Sequence, residues 1–397
     1  MVKGNFYFNK LKRPYIFPII EQKLSEVKLL YPDVDIINMG IGDIALPLAP
    51  SISKAITLAV EEMKEPFSLY GYGPSEGYSF LREAIKENSY KDLPVTSDEV
   101  FISDGINTDI VNILDLFHNS CSVAIPNPAY PAYLDSNILD GRHNRIYVMP
   151  CTKETGFVPE NPSSHCDIIY LCSPHNPTGV AMTRDQLKKF IDYAIKENSI
   201  ILFDNAYDAF VTSKDVPQSI YEIPGAEKVA IEFKSFSKSA GFTGLRCSYL
   251  ILPKGIQVEI HKKKHSLHAL WKKRQSIKFN GVSYPIQRGA AATFSPLGKK
   301  ETKDQVQFYL SQARQLKEGL EKAGQICYGG IDSPYIWWQT PKGTSSWEFF
   351  DLLLHKCQII AIPGCGFGKY GEGYVRLSGF SLQKKTTKAL ERIQQLV

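Results

Sequence analysis

At 397 residues, with 43% hydrophobic and 22% charged side chains, the chain is long enough for two lobes and has the composition of a folded, water-facing protein. A net charge of +5 is too small for this length to name a nucleic acid or another polyanion as partner. No apolar run could span a bilayer, no secretory signal opens the sequence, and the eight cysteines include no C-x-x-C pair; a cytoplasmic protein with reduced thiols, no zinc ribbon and no disulfide framework is expected.

Short apolar runs then follow one another along the chain, each ending in a polar or Gly/Pro-rich segment. EVFI (99–102) leads into SDGINTD, SVAI (122–125) into PNPAYPAY, DIIYL (167–171) into CSPHNPTG, SIILF (199–203) into DNAYDAF, and KVAIEF (228–233) into SFSKSAGFTGLR (235–246). Helical spacing separates them, as in Arg184 to Asn198, where Leu187, Phe190, Ile191, Ala194 and Ile195 share a face. Strands alternating with helices predict an α/β fold, a mixed, mostly parallel sheet covered on both faces, with any ligand beyond the carboxyl ends of its strands. A long helix over about 304–323 opens a C-terminal portion ending in IIAIPGCGFGKYGEGYVRLSGF (359–380). Residues 1–45 and 290–397 are expected to form a smaller α+β lobe, and residues 46–289 the large domain.

The polar residues after these runs match one chemistry. A lysine can form a Schiff base with a carbonyl cofactor, and Lys238 stands among small residues suited to that task. Ser235, Ser237 and Arg246 can hold a phosphate, arginine doing so through a charged bidentate grip. Asp204 can keep a ring nitrogen protonated, Tyr207 and Asn176 can bond a ring oxygen, and Tyr130 can stack on the ring. Taken singly, Asp204 could cap a helix, Asn176 could open a turn and Tyr130 could be plain core. The ordered set favours the site.

With NPTG at 176–179, DNAY at 204–207 and SFSKSAGFTGLR, the chain resembles the fold-type-I pyridoxal-phosphate enzymes, and within them the class I/II aminotransferases. It is most similar to the LL-diaminopimelate aminotransferase family through NMGIGD (38–43), YGYG (70–73), ISDG (102–105), NPAYPAYLD (127–135), FNGVS (279–283) and PGCGFGKYGEGYVRLSGF (363–380). The resemblance implies a homodimer with shared sites and pyridoxal 5'-phosphate as cofactor. Lys238 would carry the Schiff base and shuttle the Cα proton, while Asp204, Asn176 and Tyr207 set the ring's electronics. Gly105 and Ile106 would help hold the phosphate at a helix N-terminus, with Asn107 beside them and Tyr72 reaching it from the neighbouring subunit. Arg376 would clamp the substrate α-carboxylate, and Tyr15, Gly42 and Asn280 would line the substrate pocket.

Two positions depart from that family. Ile106-Asn107 stands where Ala-Lys is usual, and Ser75 stands where a carboxylate usually meets the far amino group of diaminopimelate. A buried polar substrate group left without a partner costs about 1–3 kcal/mol, so a changed substrate, with a longer neutral or basic side chain, is expected. Retained diaminopimelate activity is the conservative alternative. A side-chain elimination or cyclisation, such as hydroxyarginine closing to a cyclic guanidine amino acid, is another, and a purely regulatory cofactor-binding role is a third.

Three further features are set aside. HKKKHSLHALWKKR (261–274) reads as a solvated helical face rather than a nucleic-acid surface. His261, His265 and His268 could share that face, yet the lysines between them argue against a metal. GCGFG (364–368) lacks dinucleotide-binding spacing.

Overall fold

The computed structural model describes residues 1–11 and 16–396. Its main sheet has seven strands, in the order Val100–Ser103, Ser248–Ile251, Ala230–Ser235, Ile200–Asp204, Ile168–Cys172, Val123–Asn127 and Ile146–Pro150. Ser248–Ile251 runs antiparallel to both neighbours, and the other pairings are parallel. The central strands are buried on both faces, which is why IIYL and IILF read as continuous apolar runs rather than alternating ones. On one face Leu187, Phe190 and Ile191 pack against Ile169, Leu171 and Ile201; on the other, Ile110, Tyr133 and Trp271 pack against Ile125, Tyr170 and Leu202.

Local chemistry fixes the helix limits. Arg184–Glu197 starts at a capping box between Thr183 and Gln186 and stops at Asn198, whose left-handed backbone (φ 56°) a short polar side chain tolerates. The long helix runs Pro296–Lys322, two turns earlier than its apolar spacing suggests. Ser295 caps it by accepting from the Gly298 amide, and Pro296 sits in the first turn, where its missing N–H costs nothing.

Segment 261–274 is not the single solvated helical face that its sequence suggests. Gln257–Ile260 and Lys263–Ser266 form an antiparallel hairpin turning at His261 and Lys262, both at positive φ, and the helix begins only at Leu267. The three histidines therefore share no helical face. Among the described residues no group of three or more His, Cys, Asp or Glu could hold a metal, and no helix is long and apolar enough to cross a membrane.

C-terminal strands build a second, antiparallel sheet in the order Cys327–Gly329, Tyr335–Gln339, Tyr374–Ser378 and Ile362–Pro363. Near the N-terminus Ile37–Asn38 pairs in parallel with Ile359–Ile360, tying both chain ends to the same region. That pairing brings the 40–43 loop and Tyr374–Ser378, which carries Arg376, to the edge of the main sheet: the Arg376 guanidinium donates to the Gly40 carbonyl at 2.7 Å and to Asn176 Oδ1 at 2.6 Å.

Candidate active site

Beyond the carboxyl ends of the parallel strands lies a cavity of about 420 Å³. Asp204 closes one strand, Ser235 closes the next, and Cys172 closes a third that runs on into Asn176. Of the residues expected in the site, Gly42, Ile106, Asn107, Tyr130, Asn176, Asp204, Tyr207, Ser235, Ser237, Lys238, Arg246 and Arg376 all line this cavity. The ends of the parallel strands, the 40–43 loop and the Arg376 strand of the second sheet bring them together from across the sequence.

Lys238 sits on the short helix Phe236–Ser239, which Ser235 caps by accepting from the Ser237 amide at 3.0 Å. Its Nζ donates to the Gly42 carbonyl. Burial lowers its pKa to about 8, against an opposing pull from Asp43, while Arg376 and Arg246 add to the lowering. At pH 7 that leaves about a tenth of the amines neutral, against well under a thousandth for an unperturbed lysine. Such an amine is a usable nucleophile and base.

Asp204 is buried, with Oδ2 accepting from the Tyr133 hydroxyl at 2.5 Å and Oδ1 from the Ala206 amide at 3.2 Å. Burial raises its pKa to about 6, the two hydrogen bonds opposing, and no cation counters that burial. Tyr207 is buried, its hydroxyl 2.7 Å from that of Tyr335. Tyr130 lies edge-on to Tyr133, with ring centroids 5.9 Å apart.

Across the cavity, Ser235, Ser237 and Arg246 gather with Thr243, whose carbonyl accepts from Arg246 at 2.9 Å. Gly105, at φ +146°, caps helix Ile106–Asn112 directly beneath Arg246; a Cβ there would run into the guanidinium, so only glycine leaves the cradle open. Arg376 is buried over the Tyr335 and Phe367 rings, centroids 4.3 and 5.0 Å away. Its Nε has no hydrogen-bond partner among the described residues, and both its bonds go to neutral oxygens. A buried guanidinium without a counter-ion waits for an anion.

These residues fit pyridoxal phosphate: an amine for its carbonyl, a buried carboxylate without a cation for its ring nitrogen, and hydroxyls with a guanidinium over a glycine cradle for its phosphate.

Not every expected residue is here. Tyr72 is 92% exposed and shares a separate surface groove with Asn280. Ser75 donates to Glu76 at 3.1 Å, and Glu76 pairs with Lys272 at 3.1 Å, so neither faces the cavity. Tyr15 lies outside the described residues. Conversely, Tyr133, Tyr335 and Asp43 belong to the site and carried no assigned role. Tyr133 repeats Tyr130 one helical turn on, within PNPAYPAY, which is a readable signal; Tyr335, in YIWW, reads as plain core.

Tyr133→Phe is expected to leave Asp204 with one hydrogen bond and to raise its pKa. Because the ionised form is the useful one, the acid limb of the pH–rate profile should move up by about one unit. An unmoved limb would separate Tyr133 from the chemistry.

The family described as aminotransferase class I and II matches residues 34–393. The LL-diaminopimelate aminotransferases of Methanosphaera stadtmanae and Lawsonia intracellularis are each 45% identical, over 100% of this chain and 99% of each relative. The solved structure of L,L-diaminopimelate aminotransferase from Chlamydomonas reinhardtii matches with a TM-score of 0.94 at 38% identity, over 100% of this chain and 98% of that one.

Proposed function

We propose that this chain, which belongs to the class I and II aminotransferase family of pyridoxal-phosphate enzymes, moves the amino group of a long-side-chain L-amino acid onto a 2-keto acid. One observation carries the reading: a lysine with a lowered pKa and, among the described residues, a buried carboxylate without a cation and a buried guanidinium without a counter-ion open into one cavity.

Pyridoxal phosphate, when bound, supplies a carbonyl that accepts the amino group and a ring that stabilises negative charge at the substrate Cα. Arg376 grips the substrate α-carboxylate, and the Asn176 bond holds the guanidinium in place. Lys238 Nζ takes the Cα proton as a general base and later returns it. Asp204 holds a proton on the facing ring nitrogen, and Tyr133 and the Ala206 amide keep it ionised. Tyr207, steadied by Tyr335, bonds the ring oxygen. Ser235, Ser237 and Arg246 neutralise the phosphate.

The cavity's charges favour a substrate with one carboxylate. Among the described residues its cationic side chains are Lys238, Arg246 and Arg376, each with a task, which leaves none of the three for a second acid group. Asn107 supplies a neutral amide, and Asp43 leaves a carboxylate at the mouth, suited to a basic side-chain end. Tyr72 and Asn280, out on the surface, would complete the site of a second copy in a homodimer, and the division into lobes at residues 45 and 290 belongs to the same reading.

Holoenzyme given 2-oxoglutarate and L-ornithine, L-lysine, L-arginine or LL-diaminopimelate should transfer nitrogen most efficiently from a basic monocarboxylate. Asn107→Lys should raise relative use of diaminopimelate about tenfold, the worth of one charge-assisted contact. Diaminopimelate emerging as the best wild-type substrate would overturn the substrate assignment, and a product that keeps its nitrogen while losing water would overturn transfer itself.

A further inference from the structure

A second cavity is larger than the one holding Lys238. A cleft of about 570 Å³ lies on the far side of the same strand end, between Lys234–Ala240 and the first turns of helix Pro296–Lys322. Ser235 lines both cavities, so the wall between them is one residue thick.

Charge sets this cleft apart. Its floor holds Lys234, 3% exposed, with Nζ 2.8 Å from Asp208 and 5.3 Å from the Tyr90 ring centroid. That lysine is balanced by its aspartate. Above it stand Lys299 and Lys303, both exposed, and neither side-chain amine makes an ion pair or hydrogen bond among the described residues. They are four residues apart and so neighbours on one helix face, where like charges repel unless something anionic sits between them. Nearby, Glu301 takes no part in relieving them, because it accepts from the Ser51 amide and hydroxyl. Val306, Leu310 and Phe236 give the cleft apolar walls, which weaken water's screening of any ion inside.

We propose that this cleft binds a small dianion, an aliphatic dicarboxylate or a phosphate ester, between Lys299 and Lys303 and above the Lys234–Asp208 pair. The ligand is an effector rather than a second substrate: the buried amine at the floor is tied to its aspartate.

Calorimetric titration of the holoenzyme with glutarate, and separately with inorganic phosphate, tests this at low ionic strength. At least one should bind once per chain, and the arm that binds identifies the anion class. The double variant Lys299→Gln, Lys303→Gln should weaken that binding about tenfold. Lys300→Gln, on the same helix but outside the cleft, should leave it unchanged. Arg376→Met, which removes the carboxylate grip of the other cavity, should abolish any second, Lys299/Lys303-independent binding there and leave binding in this cleft unchanged. Binding of neither anion, a double variant that binds like wild type, or loss of the Lys299/Lys303-dependent binding in Arg376→Met would each overturn the proposal. The exposed lysines support no fold contact, so melting temperatures should match. No readout depends on turnover, which keeps this test independent of the transfer reaction.

Discussion

Lys238→Ala is expected to slow amino-group transfer by at least about 10⁴-fold, because the same amine serves as covalent partner and proton carrier. Single-turnover measurement of the amino-acid half-reaction is the direct check. A merely structural lysine would behave differently, and stability separates the two. Folding depresses the amine's pKa to about 8 from its ordinary value of 10.5, so burying the ammonium costs the fold stability. That cost is full below about pH 8, fades as pH rises toward 10.5 and is absent above, since the unfolded chain binds the extra proton only within that window. Without cofactor, the alanine variant should therefore melt at the same or a higher temperature than wild type at pH 7, with the gap narrowing as pH rises toward 10.5. Loss of transfer with retained or raised stability marks a group kept for chemistry. Added methylamine, small enough for the vacated space, should restore part of the proton transfer without restoring the covalent link. A variant that keeps more than about a hundredth of wild-type rate would remove Lys238 from the mechanism, since general acid–base catalysis alone contributes about 10²–10⁴.

Much of this molecule is legible before folding, for identifiable reasons. IIYL and IILF announce themselves because both faces of the central strands are buried, and each run ends at the polar residue that enters the cavity. Thr183, Gln186 and Asn198 mark a helix from start to stop through backbone hydrogen bonds that need no tertiary partner. The Lys238 segment is equally local, since Ser235 and Ser237 cap the turn that presents the amine. What stays hidden depends on distant partners. Ile146–Pro150 is an edge strand that buries only Met149, and its IYVM run leads to no residue of the cavity, so nothing sets it beside the strands that do. The hairpin at 257–266 is exposed and lysine-rich, and its pattern is as compatible with a solvated helix as with two strands. The first turns of Pro296–Lys322 contain Pro and Gly, and only the Ser295 cap shows that they begin a helix. Tyr335 joins the site by meeting a tyrosine 128 residues away, which no spacing rule encodes.

Arg376→Met should lower kcat/KM for an amino acid about 30- to 5,000-fold, the 2–5 kcal/mol associated with truncating one side of a buried, hydrogen-bonded charge pair. The unusual feature is what the arginine does before substrate arrives. It is 3% exposed, its two hydrogen bonds go to a backbone carbonyl and an amide oxygen, its Nε goes unanswered among the described residues, and aromatic rings cover it. A structural arginine at that depth would be expected to hold a carboxylate, because an uncompensated buried charge costs several kcal/mol. Here that cost is built into the empty fold, to be relieved when a carboxylate enters. Methionine keeps the volume and removes the charge, while freeing oxygens of Asn176 and Gly40 that the open cavity lets water reach. The two effects oppose, so the melting temperature should move little while substrate affinity collapses. Arg376→Lys should fall between, since an ammonium keeps the charge and loses the two-pronged grip. The decisive comparison is an amino acid against its amide: wild type should favour the acid strongly, and the methionine variant should handle both alike. Equal preference for the acid in both proteins would mean that another group recognises the α-carboxylate.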